Sequence, residues 1–275
     1  SPARVEKFSD PRLRLIRQEN AGPGAARNRG LREAKGEFVA FLDADDEWLA
    51  DYLHESLDRL NGFGEQVAAV SSGYIDHLTG ASKEKMWRRR GIKEGIQNVT
   101  PNTDPWLLVS MLAYMSPCST VARTSVVRKW GGFYAQNRCL FAEDAFLWLK
   151  VLLNEKVAVE LTPRAIFHTE ASSLSKNLKR MRPVEPFLID SHEIEATCPD
   201  RLRPLLRSFL AIRAAKTACV LGYWGHWREA GSLMKRFTKA ADWRLPYYLP
   251  GLVCSTPAGA LLAKSWRTAN ASLRS

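Results

Sequence analysis

No two of the five cysteines (Cys118, Cys139, Cys198, Cys219, Cys254) are close enough to form a CxxC pair, and their number is odd. That spacing argues against a disulfide framework and a zinc site, and it suits a reducing compartment such as the cytoplasm. Long apolar runs are scarce too. The one uncharged segment of membrane-spanning length, Leu245 to Ala263, is broken by Pro246, Pro250, Pro257 and two glycines. These breaks argue against a regular spanning helix there, and a surface-lying or buried irregular segment is expected. Acidic residues run short in one region: residues 200–275 hold 13 Lys+Arg against 3 Asp+Glu, which leaves only +1 of the net charge of +11 for the rest. Neither an internal repeat nor a low-complexity tract is present. The opening "SPARVEKFSD" has no apolar signal core and no initiating Met, as an interior cut would leave it.

With 45% hydrophobic and 25% charged residues, the 275-residue chain has the composition of a folded protein of one large domain, or of one domain with an appendage. Its pattern alternates. "LRLIR" at 13–17 reads as a short strand, "AARNRGLREAK" as a helix stopped by Gly36, and "EFVAFLD" as a strand buried on both faces. A helix at "DYLHESLDRLNGFG" and a strand at "VAAVSSGYID" follow, so a parallel α/β sheet is expected, with ligands outside the carboxyl ends of its strands. The Lys- and Arg-rich residues 80–105 read as a mobile insertion. Order resumes with a helix at "PWLLVSMLAYM", a strand at "CSTVART", a short helix at "SVVRKW" and a helix at "EDAFLWLKVLLNEK". A strand "VAVEL" and the segment "RAIFHTEASSLS" close the domain, and helices dominate from about residue 185.

Three carboxylates, Asp43, Asp45 and Asp46, sit within four positions at the end of the second strand. Like charges so close need neutralising. An all-oxygen cluster after a strand suits Mg2+ or Mn2+, which take one or two carboxylates and leave other positions to phosphates and water. A helix cap with an acidic first turn explains the same residues without a metal. A dinucleotide-binding loop fails at its third glycine, where Arg27 stands, and an aspartyl phosphatase would want a hydroxyl residue where Glu47 is found. Glu143 and Asp144 open a helix, where the macrodipole alone favours acids.

Taken together, "NAGPGAARNRGLREAKGEFVAFLDADDEWL", "SPCSTVARTSVVRKWGGF" and "FAEDAFLWLKVLL" occur in the order and spacing of the inverting family 2 glycosyltransferases, a resemblance covering about residues 12–175. It implies a GT-A fold: a mixed, mostly parallel sheet flanked by helices, over residues 1–180, followed by a basic helical region at 181–275. It implies transfer of one sugar from a nucleotide-diphosphate donor to an acceptor hydroxyl of a saccharide or a lipid-linked acceptor, with inversion, in polysaccharide, cell-envelope or glycolipid synthesis. Asp43-Ala44-Asp45 matches the family's DxD element. That match makes Asp45 the leading metal ligand and puts Asp43 beside the ribose or the metal; Asp46 is left to cap the next helix. Asp144 matches the catalytic base of the "ED" element, with Glu143 as its neighbour. Arg27 and Asn28 match residues lining the nucleotide side, and Gly30 on the same helix is expected to pack closely on the sheet. His168 sits where some members approach the metal or diphosphate, though a lone His beside Ile166 and Phe167 also reads as structural. The processive members' QxxRW element is absent after Asp144, which favours single-sugar addition.

The resemblance also marks a departure. The family's first two strands, the second ending in "DDGS", have no counterpart here, so an N-terminally truncated domain is expected. The basic C-terminal helices leave three readings open: a peripheral contact with an anionic membrane surface, with "YYLPGLV" beside Lys235, Arg236, Lys239 and Arg244; a helical lid; or nucleic-acid binding, which no recognised module supports. An inactive or scaffolding fragment is the alternative to an enzyme.

Overall fold

In the computed structural model, which describes residues 5–168 and 181–272, the chain forms a seven-stranded mixed sheet with helices on both faces. Helix α1 (Pro23–Glu33) leads into β1 (Phe38–Ala40), β2 (Glu47–Trp48), α2 (Tyr52–Phe63) and β3 (Ala69–Asp76). Then come β4 (Ala81–Ser82), α3 (Glu84–Arg89), β5 (Gly95–Gln97), α4 (Pro105–Tyr114), β6 (Thr120–Arg123), α5 (Thr124–Lys129), α6 (Glu143–Asn154) and β7 (Val157–Phe167). The C-terminal part is helical: α7 (Pro186–Ile189), α8 (Ser191–Thr197), α9 (Arg203–Tyr223), α10 (Trp227–Phe237), α11 (Tyr248–Cys254) and α12 (Pro257–Ser272).

The main path of the sheet is β1-β6-β3-β7-β2, with β4 on β3 and β5 on β7. Only β3 and β7 pair in parallel; every other pairing among the described residues is antiparallel, so the sheet is more antiparallel than its strand-helix alternation implies. Period-two alternation splits the strands between two faces. Val70, Val121 and Ala158 pack with Tyr52 and Leu60 of α2, while Ala69, Ala122, Val157 and Val159 face a larger core that includes α4 and α6. Helix α6 is buried on nearly every side, with Trp148 fully covered, which is why its sequence is apolar all round. Asp104 caps α4, its carboxylate accepting from the backbone N–H groups of Trp106 (2.8 Å) and Leu107 (3.0 Å).

Two expectations change. Residues 13–17 form no strand, and Leu13 and Leu15 are exposed, because none of the described residues offers them a hydrogen-bonding edge. The segment 80–105 is anchored rather than loose: Trp87 and Ile92 are buried, and the Trp87 ring meets Tyr114 edge-on at 5.2 Å. Its basic side chains point outward and hide those apolar anchors in a sequence read by charge. Phe187, Leu188, Ile194, Leu202 and Phe209 join Trp148 in one cluster, so the C-terminal helices pack on the sheet-bearing part. The part of "RAIFHTEASSLS" beyond residue 168 lies outside the described residues.

Candidate active site

The carboxylate stretch is a tight turn between β1 and β2, closed by the Asp46 N–H donating to the Asp43 carbonyl (3.1 Å). Helix α2 begins only at Tyr52, so Asp46 caps nothing, and the helix-cap explanation of the three acids fails. Instead Asp46 accepts a hydrogen bond from the His168 N–H (3.1 Å). The His168 ring lies beside this turn, with Nε2 2.7 Å from Glu47 Oε1 and its centroid 3.9 Å from that of His77.

Arg27 joins the two acidic elements. Its Nη2 donates to both oxygens of Asp43 (2.7 and 2.9 Å), and its Nη1 donates to Glu143 Oε1 at 2.6 Å. The arginine is only 12% exposed and Glu143 10%. Burial works against the Arg27 charge, but Asp43 and Glu143 outweigh it and hold the guanidinium protonated beyond its ordinary range. Phe133 supplies an aromatic face 5.3 Å from the guanidinium carbon. Of the three turn carboxylates, Asp43 is thus neutralised within the protein itself by one arginine from α1.

Glycine makes that reach feasible. A Cβ on Gly24 would sit 2.2 Å from the Tyr134 carbonyl oxygen, so only glycine lets the start of α1 approach the connection between α5 and α6. Gly30, by contrast, has nothing within 4 Å and is exposed; the close packing expected there belongs to Gly24. Asn28 fastens α1 to the same connection. Its amide donates to the Phe133 carbonyl (2.7 Å) and accepts from the Phe133 N–H (2.8 Å), so each end of the side chain is engaged with backbone. Asn28→Ala leaves those two partly buried backbone groups unpaired. A loss of about 2 kcal/mol of stability is expected, read by urea denaturation against the unchanged chain.

Asp144 opens α6 next to Glu143. Its carboxyl is pushed up to about 7, first by burial and then by the Glu143 charge, with Arg27 and two backbone N–H groups pulling the other way. The residue before this pair, Ala142, adopts the left-handed conformation (φ 57°), as do Asn137 and Arg138. A non-glycine residue in that region carries strain of about 1 kcal/mol or more, and here it aims the pair at Arg27.

The donor set fits a hard divalent cation. Asp43, Asp46 and Cys118 bring potential ligand atoms within 4.8 Å of one another. Burial and the Asp43 charge hold the Cys118 thiol far above its usual range, and it hydrogen-bonds to Asp46. Burial raises Asp46 above the usual carboxylate range, the Cys118 and His168 bonds opposing it. Asp45, half-buried in the same turn, has no hydrogen-bonding or ion-pair partner among the described residues. Ala44 between them is exposed.

A second ionic cluster escaped the sequence reading. Glu160 is fully buried in β7 and accepts from Arg59 (3.2 Å) and Arg164 (2.9 and 3.1 Å). Arg164 also pairs with Asp51 and, at 3.2 Å, with Glu55, tying α2 to the sheet beneath the turn. The signal was the single charge inside "VAVEL".

Both the fold and the sequence have known counterparts. Residues 1–115 match the sequence pattern of the family described as Glycosyl transferase family 2. Over 69 residues the chain is 44% identical to the succinoglycan biosynthesis protein ExoO of Rhizobium meliloti, covering 25% of this chain and 20% of that protein. Over 58 residues it is 43% identical to an Escherichia coli UDP-Glc:alpha-D-GlcNAc-diphosphoundecaprenol beta-1,3-glucosyltransferase, covering 21% of this chain and 23% of that one. The aligned stretches therefore span about a quarter or less of these curated relatives. The crystal structure of S. aureus TarS 1–349 in complex with UDP-GlcNAc superposes with a TM-score of 0.58 at 15% identity, over 94% of this chain and 75% of that one. The fold is that of the GT-A nucleotide-sugar transferases. Residues 1–115, which hold the first of the quoted motifs, resemble the family 2 glycosyltransferases in sequence.

Proposed function

We propose that the protein transfers a single sugar from a nucleotide-diphosphate donor to an acceptor hydroxyl, with inversion at the anomeric carbon. The observation carrying this reading is Arg27, whose one side chain holds Asp43 of the DxD turn and Glu143 of the ED pair. Elements 100 positions apart in sequence, from Asp43 to Glu143, are thereby joined through one side chain.

The chemistry follows from what each group can do. Inversion needs a base on the face opposite the leaving group. Asp144 takes the proton of the acceptor hydroxyl, and its raised carboxyl, near 7, matches a base that works around neutral pH. Glu143 stays salt-bridged to Arg27 and orients the pair. Asp45 and Asp43, with Asp46 in the same turn and His168 beside it, hold Mg2+ or Mn2+. When bound, that ion supplies Lewis-acid stabilisation to the departing diphosphate. Arg27 keeps the acids around it from repelling the incoming anion.

The acceptor is a saccharide or a lipid-linked saccharide; the diphosphoundecaprenol named for the Escherichia coli relative supports the second form. Such an acceptor would place the reaction at the cytoplasmic face of a membrane. No helix among the described residues is long and apolar enough to cross one.

The test is sugar release and transfer from a panel of UDP- and GDP-sugars. Activity is expected with Mn2+ or Mg2+, abolished by EDTA and restored by adding the ion back. Asp45→Ala is expected to lower activity by about a hundredfold or more while leaving the melting temperature within a few degrees. Full activity in EDTA would contradict the metal assignment.

A further inference from the structure

Among the described residues, seven of the 17 large apolar side chains that stand exposed fall within residues 243–262. Leu249, Leu252 and Val253 occupy i, i+3 and i+4 of α11 and form one face of that helix, while Tyr248 and Gly251 on the other face pack inward. Gly251 sits against Ala215 and Met234, so α11 is fixed with this apolar face outward. Helix α12 continues the surface: a Cβ on Gly259 would lie 1.9 Å from the Val253 carbonyl oxygen, and Leu261 and Leu262, 64% and 70% exposed, follow directly. Contiguous apolar surface of this kind marks a contact site.

Positive charge gathers just ahead of it in the chain. A cavity of about 600 Å3 opens between α8, α9 and the end of α10, lined by Arg203, Arg207, Lys235, Arg236 and Lys239 against the one acid Glu195. Arg207 is paired with Asp242 (3.1 Å) and Arg203 with Asp200 (2.8 Å), whereas Lys235 and Lys239 have no acidic partner within ion-pair reach among the described residues. Asp242 also accepts from the Lys239 N–H (2.7 Å), so the cavity wall runs straight into Trp243, whose ring carries the Arg244 guanidinium at 4.9 Å. Apolar side chains edged by an aromatic-cation pair and by lysines are what the boundary between headgroups and acyl chains demands.

We propose that α11 and α12 dock in the plane of an anionic phospholipid bilayer, with the Lys235–Lys239 cavity receiving a lipid phosphate. Charge decides against a second copy as the occupant: a two-fold contact would press this strongly positive region onto itself. Nucleic acid would satisfy the lysines and leave the leucines in water.

The full chain is tested by co-sedimentation with phosphatidylcholine vesicles, with and without phosphatidylglycerol, at low and high salt, with circular dichroism to confirm that each variant is folded. Binding is expected only to the anionic vesicles and should weaken with salt. Leu252→Glu with Leu261→Glu, and separately Lys235→Glu with Lys239→Glu, should each lower partition by about tenfold or more. Leu78→Glu, exposed between β3 and β4, should not change it. Failure to bind anionic vesicles, or binding that ignores both double variants, would overturn the proposal. So would displacement from vesicles by inorganic phosphate at low millimolar concentration, or light scattering that shows a dimer dissociated by Leu252→Glu.

Discussion

Replacing Asp144 by Asn is expected to cut transfer by about a thousandfold or more while leaving the protein folded and more stable above neutral pH. The two effects share one cause. The folded carboxyl sits near 7 against an ordinary 3.8, so the native state holds a proton that the unfolded chain has released over most of that interval. This group's contribution is therefore most favourable at pH 4 and below, declines as pH rises towards 7, and is a constant penalty beyond. Asparagine carries no such penalty. At pH 8 the variant should gain on the order of 1–2 kcal/mol over the parent, and the gap should close in acid. Catalysis follows the opposite course, since the base must be ionised: the parent's kcat should fall below about pH 7 as Asp144 takes up its proton. Urea denaturation and pH-rate profiles of the same two proteins check both halves.

Arg27→Met should produce the larger structural loss. The guanidinium is buried between Asp43 and Glu143, and its removal leaves those carboxylates facing each other beside Asp144 with no counter-charge. Breaking a buried pair from one side costs about 3–5 kcal/mol, against the ~1 kcal/mol or less that an exposed ion pair contributes. Arg27→Lys should recover only part of this, because a single ammonium cannot donate from two nitrogens in fixed geometry to acids on different elements. Thermal melts at neutral pH check the order: parent most stable, lysine intermediate, methionine lowest. Equal melting temperatures for all three would show that Arg27 does not carry the cluster.

Much of this site was legible because its chemistry is local. The three acids between β1 and β2, and the Glu143-Asp144 pair opening α6, stand out as short charged groups at the ends of apolar elements. What joins them is not local. Arg27 lies 116 residues from Glu143, and nothing in "AARNRG" shows which acids it will meet. The same holds for Asn28, whose amide is committed to Phe133 105 residues away, and for Gly24, whose missing side chain matters only because Tyr134 comes to rest against it. Charge patterning misled at residues 80–105, where exposed Arg and Lys concealed Trp87 and Ile92. Periodicity misled at 13–17, because an apolar alternation becomes a strand only beside a neighbouring strand. Glu160 left only an ambiguous signal: a lone acid inside a strand looks like an edge residue until Arg59 and Arg164 are found around it.

The most direct measurement is a Mn2+ titration of the full chain with UDP or GDP present, followed by the electron paramagnetic resonance of the free ion. One ion bound per chain is predicted for the parent and for Asp144→Asn, with binding lost in Asp45→Ala, which would separate the acids that hold the diphosphate side from the acid that receives the proton. Equal Mn2+ uptake by the parent and Asp45→Ala, or none by the parent with either nucleotide, would contradict the placement of a donor site at this turn.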